Sequence, residues 1–346
     1  MAENLTLEDI GRIAGVSRST VSRVINHKTN VNPAVRERVL AVIDRTGYTP
    51  NVLARSLVSG RSGVIGLVIP SQVHSLFEDP YFSRLIQGSS SASNAAGTTL
   101  SLFIFQNEEE EAALYPRVVK SGVLDGLILT ATRMADPLLA RMAVGEIPLV
   151  IVGRPDVDGV SYVDVDNRGG ASRAAIHLAD LGHERIGLIG APVTTTAGID
   201  RLSGFVEGLA QRGLGLDPDL RADGDFSGES GYRAMQRLIP NRPDAVFAAN
   251  DSMAAGALRA LHETGIRVPE DIALMGFDGM PASERAVPPL TTIRQPVSGT
   301  GARAVQMLNG LISGELHRPH VEIMPVELVV RGSCGAVVHA LTASSA

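Results

Sequence analysis

The N-terminal part of the chain carries apolar residues at the three- and four-residue spacing that indicates short amphipathic helices. The pattern predicts three helices, each after a capping residue: Leu7–Ala14 after Thr6, Arg18–Asn26 after Ser17, and Pro33–Thr46 after Asn32. Gly15 and Gly47 stand where the first and third helices would end. Their shared core is predicted to contain Ile10, Ala14, Val16, Val21, Val24, Val35, Val39 and Ile43. A small all-α domain is therefore expected at the start of the chain.

After Gly63 the pattern changes to continuous apolar runs that alternate with helical stretches. The predicted strands are Val64–Ile69, Leu100–Phe105, Gly126–Leu129, Leu149–Val152, Tyr162–Val165, Ile186–Ile189, Ala245–Ala248 and Ile272–Phe277. The predicted helices include Tyr81–Ala96, Glu108–Ser121, Asn167–Leu181 and Ser252–Thr264. Strands that are apolar throughout are typical of parallel sheets covered by helices on both faces. About 270 residues is long for one such sheet, so we expect an α/β body of two doubly wound parallel-sheet lobes.

The two patterns divide the chain into four segments: a helical domain over 1–49, a linker over 50–61, an α/β body over 62–335 and a tail over 336–346. Within the linker, Asn51–Ser59 has a short helical pattern. A helix of this length is not stable alone in water, so we expect it to act as a hinge. The tail is small and weakly patterned, which is typical of a flexible terminus.

Composition limits the classes of protein to which the chain can belong. Hydrophobic residues make up 44% of it, which favours a large core over disorder. The N-terminus lacks the basic and apolar regions of a signal peptide, and no apolar run is long enough to span a membrane, so we expect a cytoplasmic protein. Cys334 is the only cysteine, which excludes intramolecular disulfides and cysteine-based metal sites. We expect neither a metal nor a cofactor.

The charge is distributed unevenly between the helical domain and the rest of the chain. Residues 1–62 contain nine Lys or Arg and five acidic residues, hence 9 − 5 = +4, whereas the remaining residues contain 22 basic and 32 acidic residues, hence −10. A basic domain attached to an acidic body suggests that only the N-terminal part meets phosphate groups.

The first two predicted helices and the Gly-containing turn between them have the spacing of a helix-turn-helix, whose second helix enters the major groove of DNA. The outward positions around that second helix are Ser17, Arg18, Ser19, Ser22, Arg23 and Asn26. Such side chains can form hydrogen bonds with base edges and phosphates. The alternative is an ordinary solvated helix in a helical bundle. The basic charge of this domain favours DNA binding.

Motifs along almost the whole chain resemble those of the LacI/GalR family of bacterial transcription regulators. They are Thr6–Ile10, Ala14–Ser17, Thr20–Asn26, Val31–Pro33, Gly47–Asn51, Ala54–Leu57, Val163–Asn167, Leu181–His183, Asn250–Asp251, Gly276–Asp278 and Leu290–Pro296, in that order. The resemblance implies an N-terminal helix-turn-helix domain joined to a body similar to periplasmic sugar-binding proteins. It also implies a transcriptional regulator, which we expect to be a repressor of a carbohydrate-utilisation operon.

The resemblance assigns contacts with DNA to residues of the helical domain and of the hinge. In such repressors the hinge becomes helical only on operator DNA, and two leucines at the Leu57 position enter the minor groove and kink it. The alternative for Leu57 is a linker residue that packs on the body. The predicted DNA-binding residues are Thr6, Leu7, Ser17, Arg18, Ser19, Thr20, Ser22, Arg23, Asn26, Asn30, Tyr48, Asn51, Ala54, Arg55 and Leu57.

A small-molecule site is expected between the lobes, where the carboxyl ends of the strands meet. Aromatic faces together with Arg, Asn and Asp suit a sugar, because rings stack on its CH faces while polar groups bind its hydroxyls. The predicted effector-binding residues are Phe82, Asp166, Arg201, Phe226, Asn250 and Asp278. Asn250 could instead be a helix cap, and the two phenylalanines could be core residues. Gly153 stands where sugar-responsive relatives often have an acidic residue, so the identity of the ligand stays open.

Enzymatic and architectural alternatives lack their signatures in this sequence. The chain has no dinucleotide-binding G-x-G-x-x-G, phosphate-binding G-x-x-x-x-G-K-[ST], G-x-S-x-G or H-E-x-x-H motif. We expect a homodimer that reads a near-palindromic double-stranded operator, because twofold protein symmetry requires two half-sites. The C-terminal residues lack the leucine heptads that would indicate a tetramer, so we expect a dimer.

Overall fold

The computed structural model describes residues 5–25, 30–48, 61–69, 79–105, 107, 109–110, 112–113, 123–130 and 133–336. Contacts along the chain separate two compact units, Met1–Gly63 and Val64–Ala346, which we call the head and the body. Most of the predicted hinge and of the predicted helix Glu108–Ser121, and residues 337–346 of the predicted tail, lie outside the described residues.

The described part of the head contains three helices: α1 (Leu7–Ala14), α2 (Arg18–Ile25) and α3 (Pro33–Thr46). Thr6 caps α1 in a capping box, because its side chain accepts from the Asp9 amide while the Asp9 side chain accepts from the Thr6 amide. Gly15 and Gly47 end α1 and α3 in the left-handed conformation that glycine adopts at little cost. The predicted bounds of α1 and α3 are confirmed, and α2 begins at the predicted residue.

The head has a small apolar core that all three helices share. Of the predicted core residues, Ile10, Ala14, Val21, Val24 and Val39 are buried, whereas Val16, Val35 and Ile43 pack around them partly exposed. Val42 and Tyr48 complete the buried set, although the sequence pattern did not mark them as core residues. Burial raises the pKa of the Tyr48 phenol. The side chain of Tyr48 therefore contributes to the stability of the head, a role beside the DNA contact predicted for it.

The body alternates strands and helices along the chain. Its described strands are β1 (Val64–Ile69), β2 (Thr99–Ile104), β3 (Gly126–Thr130), β4 (Leu149–Val152), β5 (Ser161–Val165), β6 (Ile186–Gly190), β7 (Arg221–Asp223), β8 (Ala245–Ala248), β9 (Ala273–Asp278), β10 (Thr291–Arg294), β11 (Val321–Met324) and β12 (Glu327–Val329). Its described α-helices are α4 (Pro80–Ala95), α5 (Pro137–Ala143), α6 (Asn167–Asp180), α7 (Thr196–Ala210), α8 (Gly228–Leu238), α9 (Asp251–Glu263), α10 (Pro281–Arg285) and α11 (Val297–Ser313). Short 3₁₀ turns cover Pro218–Leu220, Ile239–Asn241 and Gly332–Cys334.

The strands form two six-stranded sheets, one in each lobe. In the first lobe the order is β11-β5-β4-β3-β1-β2, and every pairing is parallel. In the second lobe the order is β12-β10-β9-β8-β6-β7, and only the edge pair β10–β12 is antiparallel. The chain therefore passes between lobes after β5, after β10 and after β11. The predicted pair of doubly wound lobes is confirmed.

Each sheet is covered on both faces by apolar side chains from its helices. In the first lobe, α4 and α11 pack on one face, where Leu85 and Leu308 are fully buried. In the second lobe, α6 and α7 cover one face and α8 and α9 the other. Cys334 is buried at the end of the fold, with its Sγ 3.4 Å from Nε2 of His177. None of the described helices is long and apolar enough to cross a membrane.

Candidate functional site

A cavity of about 290 Å³ lies between the two lobes of the body, at the carboxyl ends of their strands. Its walls combine aromatic, hydroxyl, amide and charged side chains. They include five of the six predicted effector-binding residues, Phe82, Arg201, Phe226, Asn250 and Asp278. They also include Asp79, Tyr81, Thr130, Arg133, Gly153, Asp164, Asn167, Thr194, Thr195, Thr196, Asp225 and Gln295.

A wider depression of about 690 Å³ lies on the outer surface of the second lobe, beside α7. Its charged side chains are already paired with one another, Arg168 with Glu207 and Arg221 with Asp223. Such exposed pairs contribute little and do not form an enclosed binding site. The cavity between the lobes is therefore the candidate small-molecule site.

Arg201 is the central cation of the cavity, and it is 6% exposed. It extends from α7, where its Nε donates to Oδ1 of Asn167 at 2.9 Å and its Nη1 donates to the carbonyl oxygen of Ala249 at 2.5 Å. The guanidinium also lies 3.8 Å from the ring centre of Phe277 and 3.5 Å from Oδ1 of Asp278. These contacts fix its orientation before any ligand binds, which lowers the entropy lost on binding.

Asp278 is the last residue of β9 and has a φ of 112°, a backbone conformation that residues other than glycine rarely adopt. The strained turn directs a buried carboxyl group into the cavity. Burial raises its pKa well above the usual value, and the neighbouring guanidinium of Arg201 opposes that shift. Nε2 of Gln295 donates a hydrogen bond to the same carboxyl group. Asp278 and Arg201 thus present an acceptor and donors side by side.

Asn250 is both a helix cap and a wall of the cavity. Its Oδ1 accepts from the amide of Met253 at 2.8 Å at the start of α9, and its Nδ2 donates to the carbonyl oxygen of Phe226 at 2.9 Å. One proton of the amide group therefore stays available to a ligand. The neighbouring Asp251 turns away, because its carboxylate accepts from the Met280 amide and from the hydroxyl of Thr292. Both alternatives considered for Asn250 are compatible with these contacts.

Aromatic rings contribute flat surfaces to the cavity. Tyr81 and Phe82, in the first turn of α4, meet edge to face with ring centres 5.2 Å apart. Burial raises the pKa of the Tyr81 phenol, and nearby carboxylates raise it further. Phe226 stands in a loop of the second lobe with a φ of 73° and is partly buried. The cavity therefore has rings from both lobes.

The structure does not bring Asp166 into the cavity, contrary to the sequence prediction. β5 ends at Val165, and Asp166 caps α6 by accepting from the amide of Gly169 at 2.8 Å. Asp164, two residues earlier, lines the cavity instead. Its carboxylate accepts from the amide of Arg154, the amide of Val165 and the side chain of Asn167. Alternation along the strand could not separate these carboxylates, because the strand ends between them.

Asn167 lines the cavity, although the predicted effector-binding set contained its neighbour Asp166 and not Asn167 itself. Its Nδ2 donates to Asp164 at 3.0 Å while its Oδ1 accepts from Arg201. It thereby joins a carboxylate at the end of a first-lobe strand to the guanidinium of a second-lobe helix. The available signal was its place directly after an apolar strand, where the carboxyl ends of strands face the cleft.

Three contacts join the lobes at one rim of the cavity. Arg154, after β4, forms a bidentate pair with Asp200 on α7, with nitrogen–oxygen distances of 3.0 and 2.8 Å. The hydroxyl of Thr196 donates to the carbonyl oxygen of Arg154 at 2.6 Å. The amide of Met134 donates to the carbonyl oxygen of Thr194 at 2.7 Å. We call these contacts the rim clasp. They stabilise this arrangement of the lobes, which we call the closed arrangement.

Gly153 keeps the cavity open beside the rim clasp. Its φ is 99°, and a Cβ placed there would have no atom within 4 Å. A side chain at this position would therefore project into free space of the cleft rather than into packed protein. Asp164, rather than a side chain at position 153, supplies the acidic group at this wall of the cavity.

The described part of the head presents the polar face predicted for DNA binding. Around α2, Ser17, Arg18, Ser19 and Arg23 are exposed, whereas Thr20 and Ser22 are half-buried. Oγ of Ser17 lies 2.8 Å from Oγ of Ser19 and accepts from the amide of Thr20 at 3.2 Å, so it caps the helix. Gly11 allows α1 to approach the turn, since a Cβ there would lie 2.8 Å from the carbonyl oxygen of Val16.

The remaining predicted DNA-binding residues fall into two groups. Thr6 and Asn30 are exposed, Leu7 is half-buried and Tyr48 is in the core of the head. Those outside the described residues are Asn26, Asn51, Ala54, Arg55 and Leu57.

Comparison with known sequences places both units in one family. The profile "Bacterial regulatory proteins, lacI family" matches residues 6–51, and the profile "Periplasmic binding protein-like domain" matches residues 175–334. The HTH-type transcriptional regulator CelR of Thermobifida fusca is 38% identical over 333 residues, covering 95% of this chain and 98% of CelR. This chain belongs to the LacI family. The predicted family is confirmed.

Solved structures of LacI-family proteins have the same fold as this chain. A complex of CelR with cellobiose has a TM-score of 0.76 at 36% identity, covering 95% of this chain and 99% of that one. A lac repressor dimer bound to operator and the anti-inducer ONPF has a TM-score of 0.80 at 28% identity, covering 96% and 99%. The predicted fold class is confirmed, and this LacI-family protein is a DNA-binding transcriptional regulator.

Proposed function

We propose that this regulator represses a carbohydrate-utilisation operon and that a sugar bound between its lobes controls its affinity for the operator. The observation that supports a sugar as the ligand is the buried pair of Arg201 and Asp278 in a cavity with aromatic rings from both lobes. Adjacent donors and acceptors bind vicinal hydroxyls, while rings cover the apolar CH face. The similarity to CelR, which has been solved with cellobiose, supports the same class of ligand.

The DNA-binding part of the proposal rests on the exposed face of α2. Arg18 and Ser19 would contact base edges, and Arg23 would contact phosphate or bases in the major groove. Residues 50–61 are proposed as a hinge that becomes helical on the operator, with Leu57 in the minor groove. The similarity to a lac repressor that was solved on operator DNA supports this arrangement.

We propose a homodimer that works in the cytoplasm and reads a near-palindromic operator. Edge strand β2 supports this, because Leu102 and Ile104 project from it with about two-fifths of their surface exposed. An edge that pairs with no other strand of the described residues and carries exposed apolar side chains is suited to association with a second copy. The lac repressor relative was solved as a dimer.

Control of DNA binding would arise from differential affinity of the sugar for two lobe arrangements. A ligand that contacts Arg201, Asp278 and the rings stabilises the closed arrangement, in which the rim clasp is formed. If operator binding prefers one arrangement, ligand and DNA change each other's affinity by the same factor. Whether the sugar strengthens or weakens repression depends on which arrangement the operator prefers.

The experiment begins with a thermal-shift screen of the full-length protein against mono- and disaccharides, with nucleobases as the second set. A ligand that binds only the folded state raises the melting temperature in a concentration-dependent way. Fluorescence anisotropy then measures the affinity for the DNA upstream of its own gene, with and without each hit, at several salt concentrations. We expect specific, salt-dependent binding that a sugar alters. Sugars that bind without changing operator affinity, or nucleobases alone as ligands, would contradict the proposal.

A further inference from the structure

The cavity between the lobes contains more negative than positive charge. Asp79, Asp164 and Asp278 are 8%, 7% and 4% exposed, and Arg201 is the one similarly buried guanidinium among the lining residues described. The lining also includes one exposed carboxylate, Asp225, and one half-exposed guanidinium, Arg133. The lining therefore holds two cations and four carboxyl groups, a formal charge of 2 − 4 = −2.

The guanidinium group of Arg201 already interacts with other groups of the protein. Its nitrogens donate to Asn167 and to the backbone of Ala249, and the pair with Asp278 balances its charge. Arg154, the next guanidinium at the rim, is held by the two oxygens of Asp200. Arg133, the other guanidinium of the lining, also interacts with another protein group. A phosphate or carboxylate on a ligand would therefore have to compete with existing partners for each of these cations.

The buried carboxylates have little solvent to screen them. Asp164 accepts three hydrogen bonds from N–H groups, which is the arrangement of an ionised carboxylate, since such a group can only accept. Burial raises the pKa values of Asp79 and Asp164, so their charge is already costly. A further anion beside them increases that cost, whereas hydroxyl groups donate to them and reduce it.

We propose that the cavity selects an uncharged sugar and excludes its phosphorylated or carboxylated derivatives, with Asp79 and Asp164 as the residues that repel the added anion. This inference rests on the proposed sugar-binding function and narrows its ligand class. A carboxylate about 8 Å from a ligand anion, at an effective dielectric constant near 20, weakens binding roughly thirtyfold. Partial screening leaves an expected loss of at least about tenfold.

Matched pairs of ligands test the inference on the full-length protein. Isothermal titration calorimetry compares cellobiose with cellobionate, glucose with glucose 6-phosphate, and ribose with ribose 5-phosphate. In every pair of which a member binds, we expect the anionic sugar to bind at least about tenfold more weakly. A smaller difference, or tighter binding of the anion, would overturn the inference while leaving sugar-controlled DNA binding intact. If none of these sugars binds or alters operator affinity, the proposed function fails for this panel, and this inference fails with it.

Two neutral variants assign the selectivity to named carboxylates. Asp79→Asn and Asp164→Asn keep the size of the side chain and remove its charge. Each should therefore reduce the ratio of the affinity for the neutral sugar to the affinity for the anionic sugar by about threefold or more. Asp180→Asn, on the exposed face of α6, is the matched control and should leave that ratio unchanged. Thermal unfolding identifies a variant that does not fold, in which case the other carries the comparison. An unchanged ratio in the folded variants would show that these carboxylates are not the cause.

Discussion

Replacing Arg201 by methionine tests whether the buried charge network holds the second lobe together as well as binding a ligand. Methionine keeps much of the volume and removes the guanidinium. The change leaves Asp278, the carbonyl oxygen of Ala249 and Oδ1 of Asn167 without their buried donor. Removing one partner of a buried ion pair costs about 3–5 kcal/mol of folding free energy, so we expect a loss of this size.

The loss should depend on pH because it comes largely from an unpaired carboxylate. Burial raises the pKa of Asp278, and removal of Arg201 takes away the group that opposes this shift. A carboxyl group whose pKa is higher in the folded state stabilises the fold when protonated, and this contribution is lost as the pH rises through the folded-state pKa. Arg201→Met should therefore be less destabilising near pH 5 than near pH 8.

Urea unfolding of the full-length protein, followed by far-ultraviolet circular dichroism, measures this change. Adding Asp278→Asn to Arg201→Met should recover roughly 1–3 kcal/mol relative to the sum of the single changes, because the uncompensated charge disappears. Arg212→Met, which breaks an exposed pair with Asp180, is the control and should leave the midpoint almost unchanged. A loss below about 1 kcal/mol for Arg201→Met, or the same loss at both pH values, would refute the reasoning.

Four further changes separate the proposed roles of head, hinge, clasp and core. Arg23→Ala should abolish specific operator binding in a gel shift while calorimetry finds unchanged effector affinity; loss of both would mean a structural role. Leu57→Gly should weaken operator binding far more than non-specific DNA binding, and equal losses would exclude a minor-groove contact. Arg154→Ala should speed effector dissociation several-fold in stopped-flow measurements without preventing folding, and an unchanged rate would contradict the clasp. Burial raises the pKa of Asp251 to about 6, so the free energy of unfolding should fall as the pH rises from about 4 to about 6. Asp251→Asn should remove this pH dependence, and an unaltered pH dependence would place the titrating group elsewhere.

The helical head could be predicted almost completely, since its signals are local. Thr6, Gly15 and Gly47 specify helix ends through hydrogen bonds and backbone conformations within a few residues. Most of the central strands of both sheets were equally visible, because strands buried on both faces are usually apolar throughout. The internal strand β10, which begins with two threonines, and the short edge strands β7, β11 and β12 were not predicted. An edge strand is only half-covered, so its composition resembles that of a loop.

The sequence by itself determined the helix-turn-helix, the alternating α/β body and the positions where strands end in polar residues. Only the tertiary structure decided which of those polar residues share a cavity. Asp164 enters it and Asp166 does not, because β5 ends between them and Asp166 is used as a helix cap. The rim clasp likewise joins Arg154 and Asp200, which lie 46 residues apart. Periodicity reports the faces of single elements, whereas a site between lobes depends on how distant elements pack together.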